Sequence, residues 1–87
     1  MKTLSQSTQE ITYLFAENIY TLYEFSGLSM DDFAAKAETN RSTVYHWVQH
    51  KTTPLLELAW KICECYGVNI YDMCTKRLRK DGTFEDL

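Results

Sequence analysis

From residue 40 to residue 52 the chain sets out Asn40, Arg41, Ser42, Thr43, Tyr45, His46, Gln49, Lys51 and Thr52. Side chains of these types donate to, or accept from, base edges and phosphate oxygens. Arg41 can pair bidentately with guanine; its alternative is a surface salt bridge to Glu38 or Asp32. Tyr45 can reach a phosphate or stack on a thymine methyl, or be a solvated aromatic. His46 can donate to guanine or phosphate, more strongly when protonated, or stand exposed with no task. Ser42 is also an ordinary first-turn helix residue. Other chemistries find less support. His46 and His50 stand at i, i+4, a spacing that can chelate a metal from one helix face. No third ligand follows at a suitable interval, and His50 is expected past the helix end. The carboxylates are scattered over solvent faces, and the three glycines do not cluster, so nothing cradles a phosphate. The expectation is no enzyme, no cofactor and no metal.

The three cysteines, Cys63, Cys65 and Cys74, are odd in number and lack a secretory context, which argues for reduced thiols. Cys63 and Cys65 lie two apart, so on a helix they point about 200° from each other. Cys63 reads as a small buried hydrophobe.

The polar run needs elements to hold it. Val44 and Trp47 fall at i, i+3 and supply the buried side of a short helix, with Asn40 as its N-cap. Before it, Ser29 and Asp32 form a capping-box variant. Phe33, Ala34 and Ala37 give that helix one apolar face, and Glu38-Thr39-Asn40 ends it. Together, residues 29–49 read as two short helices joined by a tight turn. The first helix of the chain is expected to start near Thr8, from the capping box Ser7-Thr8-Gln9-Glu10. Ile11, Phe15, Asn18, Leu22 and Phe25 would line its core side, with Leu14 and Ile19 flanking and Gly27 as the stop. Its outer side carries Tyr13 and Tyr20, with Tyr23 next to them. Such a group suggests a contact surface, for a second subunit or for the C-terminal tail; the alternative is tyrosines with hydroxyls in water. Pro54 fits the first turn of a fourth helix running to Tyr66, with Leu55, Leu58 or Ala59, Ile62 and Cys63 facing the core and Trp60 off that stripe. Gly67 closes it. Asn69 caps a short fifth helix through Met73, which the basic run Lys76 to Lys80 could extend. Asp81-Gly82 is a turn signal. No sheet is expected.

The 87 residues suffice for one small domain, and 45% hydrophobic content suffices for a core. No apolar run is long enough to span a bilayer, and the first residues lack the apolar core of a signal peptide. The expectation is a cytoplasmic protein with no membrane contact. The net charge is −3, unfavourable for binding a polyanion. From Ile11 to Thr75 four basic residues face eight acidic ones, 4 − 8 = −4. The positive charge sits in the tail, at Lys76, Arg77, Arg79 and Lys80.

The stretches Gly27 to Ala34, Asn40 to Trp47, Pro54, and Lys61-Ile62 through Gly67-Val68 resemble the Cro/lambda-repressor-like helix-turn-helix (XRE) family, over roughly Phe15 to Cys74. The resemblance implies an all-α, compact five-helix domain with the helix-turn-helix at about residues 29–49 and the third helix in the major groove. It implies residues 1–7 as a lead, 8–75 as the DNA-binding domain, and 76–87 as a basic-then-acidic extension that could dimerise. The implied contact set is Asn40, Arg41, Ser42, Thr43, Tyr45, His46, Gln49, Lys51 and Thr52. Arg41 sits at the end of the helix that reaches base edges. Ser42, Tyr45 and His46 fall on groove-facing positions, while Thr43, Gln49, Lys51 and Thr52 look like backbone contacts. Five positions depart from the family pattern. Met30 replaces a phosphate-binding glutamine, Tyr20 and Tyr23 replace arginines, Glu38 replaces the turn glycine, and His50 replaces a loop glycine.

The expected function is sequence-specific binding of double-stranded DNA by a small repressor-like transcriptional regulator, acting as a homodimer. The rival is an interaction module that keeps the fold with weak or no DNA binding, its protein partner meeting the Tyr13, Tyr20, Tyr23 face. Met73, Leu78 and Phe84 have no obvious partners in a five-helix core, so dimer contacts are expected through the fifth helix and the tail.

Overall fold

A computed structural model describes residues 4–87, with side chains from residue 10 onward. Five helices come first: α1 Leu4–Ser26, α2 Met30–Lys36, α3 Arg41–Val48, α4 Leu56–Tyr66 and α5 Ile70–Thr75. Two short strands follow, β1 Lys76–Leu78 and β2 Phe84–Asp86. Three starts are fixed by side-chain caps. Ser29 Oγ accepts from the Asp32 N–H at 3.1 Å, Asn40 Oδ1 from Thr43 at 2.9 Å, and Asn69 Oδ1 from Asp72 at 3.1 Å. Each satisfies a donor that has no partner within its helix. Gly67, in the left-handed region at φ 68°, ends α4. The side chain of Ser7 lies outside the described residues. The start expected near Thr8 is corrected: α1 already begins at Leu4, since nothing from Leu4 to Ser7 is a helix breaker.

All five helices and β1 contribute to one core. Phe15, Ile19 and Leu22 of α1 meet Phe33 and Ala34 of α2, Val44 and Trp47 of α3, Ile62 and Cys63 of α4, Met73 of α5 and Leu78 of β1. Phe33 lies at its centre, stacked on Tyr66 at 4.6 Å between centroids and met edge-on by Tyr23 at 5.6 Å. The Tyr66 hydroxyl donates to the Phe33 carbonyl at 2.7 Å. Burial pushes that hydroxyl up to about 12, so it keeps its proton and remains a donor.

Several expectations are corrected. Leu55 is 72% exposed. Pro54 precedes α4, and Leu55 is the extended N-cap residue (φ −64°, ψ 146°), outside the turn that faces the core. Ile11 and Phe25 are also exposed, because α1 reaches beyond the core at both ends. The absence of a sheet is overturned as well. The run from Lys76 does not extend α5 but turns into an antiparallel pair, with Lys76 opposite Asp86, Arg77 opposite Glu85 and Leu78 opposite Phe84. Asp81-Gly82 makes the turn. The Thr83 N–H and hydroxyl both donate to Asp81 Oδ1, at 3.0 and 2.7 Å, and the Arg79 N–H donates to the Thr83 carbonyl at 2.7 Å. At Gly82 (φ 90°) a Cβ would come within 2.9 Å of the Phe25 ring, so the turn needs glycine for both its conformation and its clearance.

The hairpin is pinned to α1 by Asn18, a buried polar residue. Its Nδ2 donates to the carbonyls of Met73 at 2.9 Å and Lys76 at 2.6 Å, and its Oδ1 accepts from the Leu78 N–H at 2.9 Å. The hairpin therefore has its own place in the monomer. Met73 and Leu78 are buried and Phe84 packs against the core, so these three are not the unpartnered surface they were expected to be.

Candidate nucleic-acid interface

α2 and α3 pack through Phe33, Ala34, Val44 and Trp47, which leaves the other side of α3 outward. Arg41, Ser42, Tyr45, His46 and Gln49 are exposed there. Periodicity explains the division: positions 41, 42, 45, 46 and 49 share a face opposite 44 and 47. Arg41 meets Asp31 of α2 at 3.6 Å, with both side chains mostly in solvent. The pair is with Asp31, whereas the alternative reading of Arg41 named Glu38 or Asp32. An exposed pair at this distance holds the guanidinium weakly.

Asn40 and Thr43 serve the cap. The Thr43 hydroxyl donates to Asn40 Oδ1 at 3.1 Å, beside the backbone bond already described. Gln49 is the C-cap residue of α3. Lys51 and Thr52 lie in the loop beyond it, both exposed, their N–H groups donating to the His46 carbonyl at 2.9 and 3.4 Å. The structure thus gathers Arg41, Ser42, Tyr45, His46 and Gln49 on one face, sets Lys51 and Thr52 at its end, and uses Asn40 and Thr43 to start it.

Two non-glycine residues flank α3 in the left-handed region, Glu38 at φ 60° and His50 at φ 59°. They are the two positions where the resemblance to the family implies glycine. Each has a compensating contact. Glu38 pairs with Lys61 at 2.9 Å. That hydrogen bond and charge hold the Glu38 carboxyl below its usual range and the Lys61 ammonium above its own. The His50 ring stacks on Tyr13 with centroids 4.0 Å apart and planes 1° from parallel. This stack turns His50 toward α1 and was not legible, since it joins residues 37 apart with no local signal.

Among the described residues no three His, Cys, Asp or Glu side chains come together as a metal site. Burial pushes the Cys63 thiol up to about 12 and raises that of Cys74, so both stay protonated and unreactive at neutral pH. The Cys65 thiol donates to the Lys36 carbonyl at 3.1 Å.

Two short helices packed at a tight turn, the second with an exposed polar face, define a helix-turn-helix protein. The chain belongs to the XRE helix-turn-helix family: the HTH_3 model, described as helix-turn-helix, matches residues 26–73. Domains of this family are DNA-binding and serve transcription regulation. No curated protein and no solved structure matches the chain. The matched span runs from the end of α1 into α5, so most of α1 and the whole hairpin lie outside it. Among the described residues no helix is long and apolar enough to cross a membrane.

Proposed function

We infer that this chain binds double-stranded DNA sequence-specifically, as a small repressor-like transcriptional regulator with α3 in the major groove. The observation that carries this reading is the outward face of α3, where Arg41, Ser42, Tyr45, His46 and Gln49 stand together above a buried Val44 and Trp47. Arg41, Tyr45 and His46 read bases, while Gln49, Lys51 and Thr52 hold phosphates. The protein acts as a homodimer on a near-palindromic site, its half-sites about one helical turn apart. With Met73, Leu78 and Phe84 occupied in the core, the surface that suits a second copy is α4. Leu56 and Trp60, one turn apart on that helix, are 74% and 56% exposed, and side chains of this size in water favour association.

The acidic balance and Met30, which cannot donate to phosphate, support the rival reading of a protein-interaction module using the Tyr13, Tyr20, Tyr23 face, of which Tyr23 is half-buried against Phe33. Selection from random duplex pools across a salt series separates the two. Recovery of a motif with two-fold symmetry is the expected result. Absence of any enrichment at low salt would favour the interaction module.

A further inference from the structure

The domain that carries α3 is acidic, and α1 carries no Lys or Arg from Glu10 to Ser26. The cations of the chain are elsewhere in sequence, and the fold brings them back. β1 runs beside α1, so that Arg77, Arg79 and Lys80 line a cleft of about 440 Å³ together with Tyr20 and one carboxylate, Glu17, of α1 and with Val48 and His50 at the end of α3. The cleft therefore adjoins the end of the helix that reads bases under the proposal above, next to Lys51.

Its cations are available and fixed. Arg77 reaches Glu17 only at 3.9 Å, with both side chains about half exposed. Arg79 pairs with Glu85 at 3.0 Å, also in solvent. Lys80 is exposed and has no ion-pair partner among the described residues. Arg77 in β1 and Arg79 just beyond it both line the cleft, with Leu78 buried in the core between them. The Asn18 bonds to Lys76 and Leu78 hold the strand at a set distance from α1. Open, charged and shallow, the cleft lacks the enclosure of a small-molecule site. It suits a strand of phosphates passing over it.

We propose that the C-terminal hairpin is a second DNA contact, in which Arg77, Arg79 and Lys80 grip the phosphodiester backbone flanking the half-site read by α3. The inference rests on the reading of α3 as the base-reading helix. It locates the phosphate attraction that the remainder of the domain, four negative charges in excess from Ile11 to Thr75, does not supply. Backbone contacts of this kind add affinity and salt dependence without sequence preference.

The test uses the full chain with two of the three charges neutralised, Arg77→Gln with Lys80→Gln, and the charge-conserving pair Arg77→Lys with Lys80→Arg. Affinity for the selected duplex and for a scrambled one is measured across a salt series, with melting by circular dichroism alongside. The neutral pair should weaken both duplexes by the same factor and lower the salt slope by about two per subunit, while the selected motif stays the same. The charge-conserving pair should restore the slope. An unchanged slope in the neutral pair, with the wild-type motif still recovered, would overturn the hairpin contact and leave the α3 reading standing. So would a slope that the charge-conserving pair fails to restore. A wild-type chain that binds no duplex would overturn both, and loss of binding to an acidic protein in the neutral pair would then identify the cleft as a protein site.

Discussion

Glu38 and His50 show how single residues can hold a backbone that glycine would hold without strain. Both sit at φ near 60°, where Cβ crowds the following carbonyl. Each spends its side chain on a compensating contact, with Lys61 in one case and Tyr13 in the other. The Glu38–Lys61 pair is solvent-exposed, so screening leaves it little weight, and it does not match the strain at its own backbone. Glu38→Gly is therefore expected to raise the melting temperature by a few degrees. It should also tighten duplex binding, because a carboxylate two residues ahead of the α3 cap is removed. Lower melting would show that the ion pair outweighs the strain. The sequence revealed both departures from glycine; it could not reveal the compensating contacts, which come from α4 and α1.

At the scale of elements, what was legible depended on sequence separation. The caps of α2, α3 and α5 link residues three apart, and each was readable in place. The hairpin also carried a local signal, an Asp-Gly turn between the apolar residues Leu78 and Phe84, which are opposite each other in the ladder. Reading the basic run as helix extension hid it. Asn18 was legible only in half: its place on the core stripe of α1 was plain, its partners were not. They lie 55, 58 and 60 residues away. A polar side chain at a core position demands such partners, and that demand was the available clue. Asn18→Leu keeps the branched shape, at somewhat greater volume, and removes the bonds, leaving the Leu78 N–H and two carbonyls without their partner. At roughly 1–3 kcal/mol for each of the two fully buried groups stranded, the variant should lose about 2–6 kcal/mol of stability, with faster hydrogen exchange at the Leu78 amide. Unchanged melting would mean that the hairpin does not depend on Asn18.

For the whole molecule, charge and apolar surface divide the work. One side of the chain presents the polar face of α3, with the basic hairpin next to the end of that helix. α4 carries the exposed Leu56 and Trp60. A net charge of −3 sits awkwardly in a DNA-binding family; the proposed hairpin contact would ease this by position, since phosphate attraction depends on where cations lie as well as on their sum. Composition alone could not show this, because it took a hairpin to carry the tail back along α1. The claim on which the account turns is that α3 reads bases, and Arg41 is its most direct probe. Binding of wild type, Arg41→Ala and Lys51→Ala should be measured against a duplex panel in which each base pair of the selected half-site is substituted in turn. Arg41→Ala is expected to cost about 1–3 kcal/mol and to lose discrimination at one base pair of each half-site, while Lys51→Ala weakens every duplex alike. If both variants stay folded and bind the panel as the wild type does, α3 is not the reading helix.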